Sequence, residues 1–163
     1  MIKIGVISDT HIRTLEDGNR LAERLLQGPF RDVMAILHAG DHVHPELAEC
    51  FAVLPYYGVC GNMDSLSGDL PTHRVLEIAG KKIGMIHGWG APDGLERRVL
   101  DFFAGADLDV LVFGHSHRPF CELVDGVLLL NPGSPTDRRL APFHSVGLLY
   151  LSKTVSGEII PLD

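Results

Sequence analysis

Paired cysteines, a membrane-length apolar run and any concentration of basic residues are all missing from this chain, and each absence removes a class of protein. The three cysteines, Cys50, Cys60 and Cys121, are odd in number and widely spaced, with no Cys-x-x-Cys. That usage excludes a disulfide framework and fits reduced thiols packed in the core of a cytoplasmic protein. No segment approaches the roughly 18 consecutive apolar residues needed to cross a bilayer. The start, Met1-Ile2-Lys3-Ile4-Gly5-Val6, runs into a strand pattern cut by Asp9 and His11, without a signal peptide's length or cleavage region. A formal charge of -7 with no basic stretch argues against a nucleic-acid-binding surface and against attraction to an anionic membrane. A small anionic substrate stays compatible with that charge if metal cations supply local positive charge. Repeats, low-complexity tracts and linkers are absent too, so 163 residues with 45% hydrophobic content read as a single domain, 1-163, with a real core.

What the chain does have is a local pattern used five times: an apolar, β-branched run that ends in a short polar cluster. Ile2 to Ile7 leads to Asp9-x-His11, Val33 to Leu37 to Gly40-Asp41, and Val53 to Val59 to Gly61-Asn62. Ile83 to Ile86 leads to His87-Gly88, and Val110 to Phe113 to Gly114-His115-x-His117. Each run reads as a buried strand with polar residues at its carboxyl end, and a parallel sheet would gather all five clusters along one edge. Residues two apart on a strand share a face, so Asp9 and His11 are expected to reach one ion together, as are His115 and His117.

The intervening segments support an α/β fold. Leu21, Leu25 and Leu26 fall at helical spacing after a Thr14-x-x-Asp17 cap, which predicts a helix from Thr14 to Gln27 that Gly28-Pro29 ends. Pro45 opens a short helix with Leu47 and Phe51, and Pro92 begins another that carries Leu95, Val99, Phe102 and Phe103 on one face. Arg74 to Ile86 reads as two strands around Ala79-Gly80-Lys81. After His117 the pattern becomes short antiparallel runs, with Asp125-Gly126 as a two-residue turn. A chain that begins βαβ and ends in a meander suggests two packed sheets covered by helices.

The polar clusters contain seven metal-binding residues: Asp9, His11, Asp41, Asn62, His87, His115 and His117. Mixed carboxylate and imidazole suit manganese, iron or zinc better than calcium or magnesium. Seven ligands exceed what one open catalytic ion needs and suit two ions that share a bridging carboxylate. Such a pair, about 3.5 to 4 Å apart, can hold a phosphate oxygen on each ion and generate hydroxide between them. Glycines 40, 61, 88 and 114 would let the backbone turn sharply beside the ions.

In this order, with Asp64 after Asn62 and with Asn131-Pro132-Gly133-Ser134 further on, the motifs resemble the calcineurin-like metallophosphoesterases. The closer resemblance is to their small single-domain bacterial and archaeal phosphodiesterase branch, the YfcE-like proteins. It implies a four-layer α/β/β/α sandwich of two mixed sheets flanked by helices. It assigns Asp9, His11 and His117 to one metal and Asn62, His87 and His115 to a second, with Asp41 bridging. The implied cofactors are two divalent ions, manganese first, with nickel, iron or zinc as alternatives. The implied reaction is hydrolysis of a small phosphodiester by in-line attack of a metal-bridging hydroxide on phosphorus, with Asp41, Asn62, Asp64 and His87 at the reaction itself. Two alternatives accompany it: a phosphomonoesterase, and a metal-binding scaffold of low activity like the family's members in eukaryotic membrane-traffic coats. Small members also frequently form homo-oligomers.

One position departs from the family pattern. Many members carry a His directly after the Asn of the third motif, and here it is Met63, which cannot transfer a proton. Aryl and other low-pKa leaving groups are therefore expected to be favoured. Asp64 is either the carboxylate that replaces this His or the acceptor that orients a ligand. His38 is read as a core histidine, His42 and His44 as exposed loop or capping residues. Arg138 and Arg139 are candidates to clamp phosphate, and Trp89 to stack on a substrate ring.

Overall fold

A computed structural model describes all 163 residues. In chain order the elements are β1 (Ile2–Ile7), α1 (Leu15–Gln27), β2 (Ile36–His38), a 3-10 turn (Leu47–Phe51), β3 (Tyr56–Gly58), β4 (His73–Ile78) and β5 (Lys81–Ile86). There follow α2 (Leu95–Phe102), β6 (Val110–Val112), β7 (Phe120–Val124), β8 (Val127–Asn131), β9 (Ser145–Leu151) and β10 (Val155–Pro161). They form two mixed five-stranded sheets, ordered β10-β9-β1-β2-β3 and β4-β5-β6-β8-β7. The central strands run parallel, β1 with β2 with β3 and β5 with β6 with β8, while hairpins close the edges. The two packed sheets that the pattern suggests are found, and both supply the polar edge, three clusters from the first and two from the second.

Apolar alternation explains the layering. On β1, Ile4 and Val6 face the second sheet and pack with Leu37, Ile83, Met85, Val110, Val112 and Leu130. Ile7 points the other way, into a layer with Leu21, Leu25, Phe30, Ile36 and Phe51 under α1. A third layer, with Leu95, Val99, Phe103, Leu111 and Phe113, seats α2 on the second sheet. Strands buried on both faces are what continuous apolar runs encode. Fully burying one Leu or Ile contributes about 1.5–3 kcal/mol, so the three layers outweigh the strain described below.

Thr14 caps α1 as expected, its hydroxyl accepting from the Asp17 N–H at 3.2 Å. Helix α2 starts at Leu95 rather than Pro92, because Gly94 enters with a left-handed φ of 79° and the turn before it cannot be helical. The second and third runs form strands of three residues only, since Val53 is 79% exposed and the chain reaches the sheet at Tyr56. No helix is long and apolar enough to cross a membrane.

Candidate metal centre

All five clusters emerge at the carboxyl ends of β1, β2, β3, β5 and β6, and backbone hydrogen bonds lace the emerging loops together. The Asp9 N–H donates to Gly40 O at 2.9 Å, His11 N–H to Asp41 O at 3.0 Å, and Gly114 N–H to His87 O at 3.0 Å. The Asp9 carboxylate joins the two sheets: Oδ2 accepts from Ser8 Oγ at 2.7 Å and from the His115 N–H at 3.0 Å. This packing leaves no room for side chains at two of the glycines. A Cβ on Gly61 would overlap the Asp41 carboxylate, and one on Gly114 would overlap Ser8 and Asp9.

Asp9 and His11 come together for a different reason from the one the sequence suggested, and His115 joins His117 in neither group of candidate ligands. None of the four lies on a strand, since β1 ends at Ile7 and β6 at Val112. All four take left-handed backbone, with φ of 54°, 46°, 70° and 60° in that order, and Asp41 does so as well at 60°. Val43 is also left-handed, at 72°, which a β-branched residue rarely tolerates. Each such residue costs on the order of 1–3 kcal/mol and persists only where surrounding contacts over-determine it. Here the strain turns consecutive polar residues toward one point.

At that point the ligand atoms face each other unpartnered. Asp9 Oδ1, His11 Nε2 and His117 Nε2 are buried with no hydrogen bond. Asp9 Oδ1 lies 3.4 Å from His117 Nε2 and 3.7 Å from His87 Nε2. Asp41 Oδ2 lies 3.6 Å from His11 Nε2 and 3.4 Å from His87 Nε2, while its Oδ1 accepts from the Met63 N–H at 2.8 Å. Two overlapping groups result, Asp9 with His11 and His117, and Asp9 with Asp41 and His87. Asn62 joins the second through Oδ1, 3.0 Å from His87 Nε2.

The imidazoles are oriented from behind. His87 Nδ1 sits 2.7 Å from Ala39 O, His115 Nε2 2.9 Å from Gly90 O, and His117 Nδ1 on Asp137 O. Each ring can therefore donate one N–H to a carbonyl, and His87 and His117 turn their other nitrogen toward Asp9, the arrangement that prepares a histidine to ligate. Burial lowers the basicity of His87, but the carboxylates of Asp41 and Asp9 outweigh it and raise its pKa. His117 behaves alike: burial opposes, Asp9 prevails, and the pKa rises. Burial pushes the Asp41 carboxyl up, yet His87, the Met63 N–H and His11 together hold it below its ordinary range. Three buried orphan atoms on a mixed carboxylate and imidazole set fit a divalent ion, because leaving them desolvated and unpaired would cost several kcal/mol.

Immediately behind lies a second buried polar group in which only His42 Nε2 lacks a partner. Asp64 accepts from the backbone N–H groups of Asp41, Gly61 and Val43 at 2.9, 2.9 and 2.8 Å and sits 3.2 Å from His42 Nδ1. Burial raises its pKa, but these donors bring it down to about 2. His42 is not the exposed loop residue expected; it is 4% exposed and stacks on His38 at 3.6 Å. His38 is a core histidine as expected, accepting from Gly40 N–H and lying 2.9 Å from Thr10 Oγ1, and burial then neighbouring histidines hold its pKa well below the usual value. Ser134, in the Asn-Pro-Gly-Ser segment, donates to Asp9 O at 2.8 Å and accepts from Asp137 N–H, which places the carbonyl that orients His117. Arg138 donates to Ala141 O within its own loop, and Arg139 pairs with Asp137 at 3.7 Å. Trp89, 45% exposed, packs edge-on against Phe102.

The family model of the calcineurin-like phosphoesterase superfamily domain matches residues 2–154. The chain belongs to that superfamily. A probable metallophosphoesterase from Methanothermobacter thermautotrophicus is 41% identical over 161 residues, 96% of this chain and 91% of the relative. A solved structure described as a novel archaeal phosphodiesterase is 26% identical, with a TM-score of 0.76 over 99% of this phosphoesterase and 100% of that chain. A singly substituted Vps29 from Entamoeba histolytica, 24% identical, reaches 0.75 over 99% and 100%, and there the likeness is one of fold. The four-layer sandwich of the family is the architecture found. The phosphoesterase is accordingly a metal-dependent hydrolase of phosphoric esters, with candidate ligands grouped where the fold requires them.

Proposed function

We propose that this phosphoesterase is a phosphodiesterase that holds two divalent ions, manganese first among them, and hydrolyses a small phosphodiester in the cytoplasm. The observation that carries the reading is the convergence of unpartnered Asp9, His11 and His117 atoms beside Asp41 Oδ2, with no lysine or arginine paired to either carboxylate. A phosphomonoester dianion would call for cationic side chains at that point; a diester monoanion is matched by the ions alone.

Asp9, His11 and His117 would hold one ion, Asn62, His87 and His115 the other, and Asp41 would serve both. Divalent ions there supply a water made nucleophilic near neutral pH and positive charge against the phosphoryl oxygens. Asp41 cannot rotate away, because its other oxygen is held by the Met63 N–H. The exposed Asn62 amide nitrogen has no partner in the protein and is free to donate to a phosphoryl oxygen. Asp64 acts through the backbone of Asp41, Gly61 and Val43 rather than on substrate, since its oxygens are already engaged. Met63, 54% exposed, offers no proton to the leaving oxygen, which favours aryl and similarly acidic alcohols.

Metal-stripped protein reloaded with manganese, nickel, zinc or magnesium tests this, with bis(p-nitrophenyl) phosphate against p-nitrophenyl phosphate as substrates. Metal-dependent cleavage of the diester well above the monoester is expected. A reversed preference would make the protein a phosphomonoesterase. Bound metal with neither ester cleaved would move it to the scaffold reading that the Vps29-like fold keeps open.

A further inference from the structure

The largest cavity, about 520 Å³, is a groove between α1 and the 135–137 loop, with one candidate metal ligand, His11, on its wall. His11 forms its inner wall, and of the three grouped ligands Asp9, His11 and His117 it alone is only partly buried. The groove thus shares His11 with the candidate metal centre. Its volume suits a small-molecule substituent of sugar phosphate or nucleotide size.

The charge of the groove is opposite to that of the chain. Acidic residues outnumber basic ones overall, 21 to 14, yet Arg13, Arg20 and Arg24 line this cavity against Asp17 and Asp137. The pairing sharpens the contrast. Arg20 is neutralised by Glu16 at 2.5 Å and Asp17 at 3.8 Å, and Asp137 by Arg139 at 3.7 Å from outside the groove. Arg24 donates only to a neutral carbonyl, Leu162 O at 2.8 Å, and Arg13 has no hydrogen bond or ion pair within the protein. Two guanidinium charges without a carboxylate partner thus line the same groove as His11. Guanidinium forks are matched by phosphate oxygens.

We infer that the groove binds a second phosphate group carried on one substituent of the ester. The inference rests on the phosphodiesterase reading for its chemistry and names the substrate class: a phosphodiester in which one esterified alcohol bears its own terminal phosphate. The scissile phosphorus sits at the ions, and the terminal phosphate lies between Arg13 and Arg24.

Two probes differing only in this group test it, the p-nitrophenyl ester of thymidine 5′-phosphate with and without a 3′-phosphate, on manganese-loaded protein. The 3′-phosphate should raise kcat/KM by about tenfold or more, mainly through KM, as expected for charge-assisted hydrogen bonds. Arg13→Ala should pull the ratio between the two substrates toward one, and Arg13→Ala with Arg24→Ala should abolish it. Arg13 is exposed and makes no side-chain hydrogen bond or ion pair in the protein, so its replacement reads the groove and not the fold. Calorimetric binding of thymidine 3′,5′-bisphosphate against thymidine 5′-monophosphate reads the same groove without turnover. Tighter, arginine-dependent binding of the bisphosphate with no hydrolysis of either ester would sustain the groove and overturn the phosphodiesterase. Hydrolysis with no preference for the 3′-phosphate, or a preference that survives both substitutions, would overturn the groove.

Discussion

Two buried polar groups stand side by side behind the strand ends, and they differ in one respect. Around Asp64, His42 and His38 almost every donor and acceptor meets another within the protein. Around Asp9, His11 and His117 the inward atoms meet none. Burial and residue type are the same in both, so neither marks a site. Unmet capacity aimed at a common point does, because desolvated polar atoms without partners persist only where something outside the chain completes them. The satisfied group has the complementary task of holding the loops in left-handed backbone.

Removing the proposed bridging ligand should erase the contrast most completely. Asp41→Ala is expected to abolish metal binding and bring hydrolysis to background, and retained activity with bound metal would remove Asp41 from the centre. Next, Asp64→Ala should leave three buried N–H groups unpaired, with a loss of about 1–3 kcal/mol for each one that water cannot reach. Denaturant unfolding would read that loss, and metal affinity should fall about 10- to 100-fold, the usual effect of a group that supports ligands. If Asp64→Ala instead removed turnover with stability and metal affinity intact, Asp64 would belong to the reaction.

Adding metal should act on the unsatisfied group alone. At about 100 times its dissociation constant, manganese should stabilise the wild-type protein by about 2.7 kcal/mol and leave Asp41→Ala unchanged, as thermal unfolding with and without chelator would record. The smallest effect is expected from Met63→His. Since Met63 contributes its backbone N–H to Asp41, its side chain is replaceable. Turnover of alkyl esters should rise by less than the roughly 10²-fold at the low end of general-acid catalysis, with aryl esters unaffected. No gain in a folded, metal-loaded variant would show that leaving-group protonation does not limit the rate.

Much of the fold was legible because strands buried on both faces must be continuously apolar. Phe120–Val124 and Ser145–Leu151 fall where the pattern predicts them. Residues that meet only through long-range packing were less legible. His42 beside Pro45 looked like a loop residue, and nothing nearby in sequence announces its stack on His38 or its hydrogen bond with Asp64. Arg138 and Arg139, adjacent in sequence, suggested a phosphate clamp but are engaged within their own loop. The arginines that do line a cavity, Arg13 ahead of α1 and Arg20 and Arg24 on it, form no motif in the sequence, and only the 135–137 loop opposite makes a groove of them.

By itself the sequence determined which chemical groups are available and that they follow strand ends, since apolar alternation, turn glycines and ligand types are properties of neighbouring residues. Tertiary structure alone decided which of those groups meet and which stay unpaired. The His115 N–H reaches the Asp9 carboxylate across 106 residues and between two sheets, and the left-handed backbone at the ligands survives only inside that packing. A site made of distances between remote residues exists only once the layers have closed around it.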